Sequence, residues 1–457
     1  MKFLFVNKPP IMEPLGIMYL SSVIKKLGHK VELAITSDNL ERKIAEFKPD
    51  YAGYSIITGD EGFYDGINKK LKSKFNFVSI AGGPHPTFFP GFLENSSFDA
   101  ICIGEGEKAI QQFLENPSSM EIPNFWFKDK NGRIIKNPVQ PLIEQLDNVS
   151  FPDREIVSKC SQIQGTPIKH FIASRGCPYN CTYCFNHAYS ELYEGKGKRV
   201  RFRSVPNLLG EIEQTDNAFP STKLNYFQDD TFTLNDDWLE EFAKEYSRRI
   251  EIPFHCHVRA NTLTERKVSN LEKAGCYSVH FAIETGNDEL RNKILNRGMS
   301  KEQILNAVEL LRKHGIKFVT QNMIGIPGGS LEKDLETLEL DIACKPDYAW
   351  VSIFQPYPGT ALGKLCKDEG YYDGDFTDLN NNFFESSKLN FSSEYKLQLS
   401  NLQRLFAIFV ESPAFYESGL AKTMIDAPQT EEIKNMYQKM YKDFRKIGDR
   451  RIYGFDV

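Results

Sequence analysis

Three cysteines fall within eight residues: Cys177, Cys181 and Cys184, in the stretch SRGCPYNCTYCF. Thiolates are soft ligands that suit iron–sulfur clusters and zinc. A closed structural zinc site takes four ligands, and three are local here. His187 could complete such a zinc site. Alternatively, the trio holds a four-iron cluster and leaves one iron without a protein ligand. An open coordination position is how a metal site engages a substrate. The remaining six of the nine cysteines are scattered, and the opening stretch is not expected to be a secretion signal, so a disulfide framework is not expected.

The elements that must position this loop repeat strand then helix from 166 to 370. Strands are expected at IKHFIAS (168–174), KLNYFQD (223–229), PFHCHVR (253–259), YSVHFAIE (277–284), KFVTQNMIGI (317–326) and YAWVSIFQ (348–355). Helices lie between them, with Asn235 and Thr264 as N-caps and Gly275 and Gly315 as stops. Six such units make an incomplete TIM-type barrel, (β/α)6, whose chemistry belongs at the C-terminal strand ends. The cysteines sit just past the first strand. Other strand ends carry Gln228, Asp229 and Asp230, then Arg259, Glu284 and Ile326. His255 and His257 alternate on one strand and share a face, which could point into the barrel or serve core or satisfied polar roles.

Residues 1–140 show a second alternation. Strands are expected at 2–7, 31–36, 51–57, 77–83 and 100–104, with helices at 14–28, 39–47 and 64–75. This pattern predicts a doubly wound, Rossmann-like α/β domain with a parallel sheet. Ligands of such sheets sit beyond the C-terminal strand ends. The loops there are NKPPIMEPLG with Pro14, Leu15 and Gly16; a turn near Ser55, Thr58 and Gly59; GGPHPT with Gly82, Gly83, Pro84 and His85; and GEGE with Gly104, Glu105, Gly106 and Glu107. Glycine lets a backbone approach a ligand closely. A hairpin, FWFKD–KNG–RIIKN, follows, then a linker over 141–165. Residues 371–457 read as a mostly helical packing appendage or substrate cover, with aromatics such as Phe383, Phe384, Phe415 and Tyr416 as possible pocket lining.

Composition narrows the field. The 457 residues are 41% hydrophobic and 26% charged, enough for several cores and too apolar for disorder. The net charge of −5 offers no global basic field for nucleic acid. No stretch reaches the roughly 18 apolar residues of a spanning helix. A soluble, cytoplasmic protein with no nucleic-acid partner is expected.

The C-x3-C-x2-C motif, Tyr183 before its last cysteine, and its place after a first barrel strand resemble the radical S-adenosylmethionine superfamily. The resemblance implies a four-iron, four-sulfur cluster on Cys177, Cys181 and Cys184, with S-adenosylmethionine on the open iron. It implies reductive cleavage to a 5′-deoxyadenosyl radical, driven by an external reductant of flavodoxin or ferredoxin type. It places Tyr183, Gln228, Asp229, Arg259, Glu284 and Ile326 around S-adenosylmethionine, although FQDDTF replaces the family's usual Gly-Gly-Glu. The front segments PLGIMYLSSVIKKLG, AGGPHPT and GEGE resemble the subgroup whose first domain binds cobalamin, with methyltransferases of class B type as its main members. The implied cobalamin contacts are the loop residues named above, with the corrin between the two domains. The Asp-x-His-x-x-Gly motif of many cobalamin domains is absent, so no histidine of the first loop is expected on cobalt. The implied reaction is methyl transfer from methylcobalamin to an unactivated carbon of a small molecule or peptide. Cyclisation or rearrangement by the same parts, or a non-catalytic iron–sulfur or cobalamin-binding protein, are the alternatives.

Overall fold

Lys2–Asn7 (β1) is an apolar run whose four central side chains are buried, as a strand covered on both faces requires. In the computed structural model it is the second strand of a seven-stranded sheet. All residues are described except 159, 162, 375–378, 380–383 and 457, so Phe383 lies outside the described residues. The chain divides into two compact units, Met1–Thr166 with Ala188–Arg203, and Pro167–His187 with Ser204–Val457.

In the first unit, β1 is followed by α1 (Leu15–Lys26), β2 (Lys30–Ile35), α2 (Leu40–Phe47), β3 (Tyr51–Ser55), α3 (Glu61–Lys72), β4 (Val78–Gly82), β5 (Ala100–Cys102) and α4 (Glu107–Glu115). The strand order is β2-β1-β3-β4-β5, all parallel, as the alternation predicts. The hairpin β6 (Phe125–Lys128) and β7 (Ile134–Lys136) extends that sheet antiparallel to β5. α1 turns Ile17 and Ile24 onto a core with Phe3, Phe5 and Phe113, each such burial worth about 1.5–3 kcal/mol. The segment around Leu142 belongs to this unit: its backbone N–H donates to the Lys196 carbonyl at 2.8 Å.

The second unit is a six-stranded, all-parallel sheet of β8 (Ile168–Phe171), β9 (Leu224–Phe227), β10 (Phe254–His257), β11 (Cys276–Glu284), β12 (Lys317–Ile324) and β13 (Tyr348–Ile353), in sequence order. Helices α5 (Val205–Ala218), α6 (Asp236–Arg249), α7 (Glu265–Lys273), α8 (Lys301–Lys313) and α9 (Leu331–Cys344) cover the outer face. Asn235 and Thr264 cap α6 and α7 by accepting from Trp238 and Lys267 N–H, and Gly275 and Gly315 have positive φ. β8 ends earlier than its sequence pattern, at Phe171, and the Asp229 carboxylate takes up the backbone N–H groups of Ala173 and Ser174. The C-terminal helices α10 (Ala361–Asp368), α11 (Ser393–Glu411) and α12 (Glu431–Tyr453) follow. α11 buries Leu402, Phe406 and Phe409 against Ala349, Val351 and Ile353 of β13. Among the described residues no helix is long and apolar enough to cross a membrane.

Candidate active site

The cysteine loop leaves the C-terminal end of β8 and is tied down at Thr182. Its N–H donates to the Leu295 carbonyl at 3.2 Å and its hydroxyl to Ile294 at 2.6 Å. These acceptors end a widened helical turn, Leu290–Ile294, of the kind often found beside functional sites. All three thiols are free. Burial raises Cys177 and pushes Cys184 up to about 11. Two guanidinia stand against the third thiol: Nη1 of Arg259 and Nη1 of Arg297 each lie 3.8 Å from Cys181 Sγ.

Arg297 anchors a buried relay. It donates to the Tyr183 hydroxyl at 3.0 Å and to the Ala282 carbonyl at 2.5 Å. Tyr183 in turn donates to Glu284 Oε1 at 2.7 Å. Burial raises the Glu284 carboxyl, with the charge of Arg297 pulling the other way. Glu284 closes β11 with φ of 67°, where the register to β12 slips. Such strained geometry in a non-glycine residue gathers at working sites. With Oε1 engaged, Oε2 is left to accept from an ammonium or hydroxyl group of a ligand. Arg259 stacks over the Tyr179 ring at 3.9 Å and donates to Arg297 O and Asn261.

The other sequence-marked residues divide. Asp229 is committed inward, accepting from the N–H of Ala173 at 3.0 Å and from the N–H and hydroxyl of Ser174 at 2.5 Å each. Burial pushes its carboxyl up to about 6. Gln228 pairs with His170 at 2.8 Å. Asp230 instead reaches the cysteine loop, accepting from Asn186 at 2.9 Å. His187 spends Nδ1 on the Cys184 carbonyl at 2.7 Å. Ile326 is fully buried in a cluster that includes Tyr183 and Phe354, and the N–H of Gly325 before it donates to Asp334. Arg297 was not singled out by the sequence; its one mark there is an arginine in a short loop between strand and helix.

In the first unit the marked loops meet at the C-terminal edge of the sheet. Thr87 ties two of them, donating to Gly83 O at 2.8 Å and accepting from Gly104 N–H at 3.0 Å. Gly83 has φ of 95°, and a Cβ there would lie 2.9 Å from the Ile56 backbone. Gly104 has φ of 75°, and a Cβ would strike the Tyr193 hydroxyl at 1.9 Å. That hydroxyl accepts from Glu105 N–H at 2.9 Å. The Glu105 carboxylate is taken by Arg201, at 2.9 Å between Nη2 and Oε1, and by the Ile143 N–H. His85 is buried, 3.3 Å from the Thr58 hydroxyl, and burial lowers its pKa. Glu61 accepts from Gly59 N–H at 2.6 Å. Leu15 and Glu107 are buried, Ser55 and Gly106 half-buried, and Pro14 half-buried at the start of α1. Nothing lies within 4 Å of a Cβ built on Gly16 or Gly82. The edge is therefore open above Gly16 and Gly82, where a bulky flat ligand can approach the backbone, and closed by the chain itself at Gly83 and Gly104.

Comparison with known proteins finds two family models on the chain. A Radical SAM superfamily model covers residues 171–340 and a B12 binding domain model covers residues 1–114. Together they take in more than half of the chain, which belongs to the cobalamin-binding radical S-adenosylmethionine enzymes. An uncharacterised methyltransferase of Pyrococcus horikoshii is 29% identical over 76% of this chain and 77% of its own. A cytidylyl-2-hydroxyethylphosphonate methyltransferase of Streptomyces wedmorensis is 22% identical over 80% of each chain. The solved structure of OxsB, a cobalamin-dependent S-adenosylmethionine radical enzyme with aqua-cobalamin and S-adenosylmethionine bound, superposes with a TM-score of 0.70 at 17% identity. It covers 98% of this chain and 71% of that one. The cofactors of the protein are a four-iron, four-sulfur cluster, S-adenosylmethionine and cobalamin. The residues present fit them: three free thiols beside two arginines, a buried carboxylate with an open oxygen, and a glycine-edged parallel sheet.

Proposed function

We propose that the chain transfers a methyl group to an unactivated carbon of a small molecule or peptide; the Arg297–Tyr183–Glu284 relay beside Cys181 supports the radical half of that reading, and the open backbone at Gly16 and Gly82 the cobalamin half. When bound, the cluster with S-adenosylmethionine supplies a hydrogen-abstracting radical, and cobalamin supplies the methyl group. Cys177, Cys181 and Cys184 hold the cluster, and Arg259 and Arg297 offset its negative charge. Glu284 accepts from the cofactor's polar groups, and Tyr183 and Arg297 keep its carboxylate aimed. Ile326 and the backbone around it give the adenine an apolar wall. In the first unit, the backbone at Gly16, Gly59, Gly82, Gly83 and Gly104 receives the corrin. The protein's part is positioning, which governs where a radical reacts. A one-electron donor of flavodoxin or ferredoxin type supplies electrons. The methyltransferase names of the relatives support this reading.

The test needs no substrate. Anaerobic protein loaded with reduced cobalamin is mixed with S-adenosylmethionine. Methyl transfer predicts about one S-adenosylhomocysteine per cobalamin-loaded chain. If 5′-deoxyadenosine forms under strong reductant while S-adenosylhomocysteine never does, the methyl reading fails and cyclisation or rearrangement takes its place.

A further inference from the structure

The concave face of β9, β10 and β11 holds side chains that the cysteine site does not use. Phe227 and Phe254 pack outward against Phe242 and Tyr246 of α6. Strand alternation therefore turns Tyr226, His255 and His257 inward. The register sets His255 beside Ser278 and His257 beside His280. Donor nitrogens of His255, His257 and His280 all lie within 4.8 Å of one another, the one such group among the described residues.

The hydrogen bonds leave the inward nitrogens of His255 and His280 without a partner, while that of His257 is shared with the Tyr226 hydroxyl. His255 is 1% exposed, and its Nδ1 lies 2.6 Å from Ser278 Oγ. The Ser278 hydroxyl already donates to the Ile452 carbonyl at 2.7 Å. Its oxygen can then only accept, so the proton sits on His255 Nδ1 and Nε2 carries a lone pair. That Nε2 is buried without a partner, and so is His280 Nε2. His257 Nε2 lies 2.9 Å from the Tyr226 hydroxyl, and the ring also bonds the Asp229 backbone. Burial holds all three rings uncharged, lowering His255, His257 to about 4 and His280 to about 3. Neutral imidazole, with its second nitrogen fixed by a hydrogen bond, is the form that ligates metals.

We propose that His255, His257 and His280 form a mononuclear site for a divalent first-row transition ion, with zinc as its expected occupant, separate from the three cysteines. Imidazole suits zinc, copper, iron and nickel, and three nitrogens leave tetrahedral zinc one open position. Ligation through His257 Nε2 displaces the Tyr226 hydroxyl from that nitrogen and leaves it beside the open position, which an oxyanion of a substrate held in the barrel could take. Ligation requires the rings to turn inward until the donors reach the zinc–nitrogen distance of about 2.0–2.1 Å. The Ser278–Ile452 bond makes the end of α12 part of the support.

The test uses the full chain with its iron–sulfur cluster reconstituted anaerobically, dialysed against micromolar free zinc and counted by elemental analysis. About one zinc per chain is expected beyond the cluster's iron. The His255→Gln/His280→Gln double variant is expected to keep its iron and lose zinc at least tenfold. Zinc also raises the thermal midpoint of the wild type and leaves that of the variant unmoved. If the double variant loses its iron, His280→Gln alone is read by the same two measurements. Wild-type protein with less than about a tenth of an equivalent of zinc overturns the proposal. So does zinc that survives the histidine substitutions, which would place it at the thiols.

Discussion

The two units place their ligand-facing loops at the same topological position, the C-terminal edge of a parallel sheet, but build them from opposite materials. The first uses backbone: Gly83 and Gly104 have positive φ, and the acidic side chains Glu61 and Glu105 are taken by the Gly59 N–H and by Arg201. The second uses charge: two arginines, a tyrosine and a carboxylate are stacked behind one cysteine. Under the proposed assignment a broad, flat corrin is met by shape, and a cluster and a sulfonium cofactor by electrostatics in a dry setting, where each charge acts more strongly.

That contrast can be broken at four places. The largest effect is expected for Cys177→Ala, which should remove cluster iron and abolish 5′-deoxyadenosine while cobalamin absorbance persists. Loss of both cofactors together would show that the sites are not independently built. Next, Arg297→Ala leaves Tyr183 and Glu284 buried without their cation. Breaking such a buried pair costs about 3–5 kcal/mol, so denaturant midpoint and 5′-deoxyadenosine yield should both fall steeply, with Arg297→Lys intermediate. Third, Gly104→Ala meets the Tyr193 hydroxyl and an unfavourable φ. It should cut co-purifying cobalamin about tenfold, a loss of roughly 1.4 kcal/mol in affinity, with iron unchanged; adding Tyr193→Phe should restore part of it.

The smallest effect concerns pH. Burial pushes the Asp334 carboxyl from 3.8 up to about 7, although Tyr395 and the Gly325 N–H both donate to it. A carboxyl raised in the fold contributes stability at low pH and loses it as pH rises through the folded value. Asp334→Asn should therefore gain on the wild type in unfolding free energy as pH climbs from about 4 to about 7. Equal slopes for the two proteins would refute the buried neutral carboxyl.

Much of this was legible in the residues because it is local. Cysteine spacing, glycine at loop tips and capping residues such as Asn235 act over a few positions, and alternation of strand and helix announces a parallel sheet. What stayed hidden depends on distant partners. Arg297 gains meaning only when its loop returns to Tyr183, 114 positions away. Tyr193 explains Gly104 only once its segment folds back onto the first sheet. Asp229 and Asp230 are adjacent, yet one braces the end of β8 and the other reaches Asn186; no single-residue signal separates them. The hairpin was readable as a hairpin, but not as the edge of the larger sheet.

Residues 188–203 rejoin the first unit after the cysteine loop has already begun the second. The connectivity forbids a clean cut. A fragment ending at residue 166 would discard the hydroxyl over Gly104 and the guanidinium on Glu105, and expose two holes beside its own ligand edge. Recombining such fronts among relatives would call for swapping two separate stretches of gene, and evolution by shuffling whole modules would face the same obstacle.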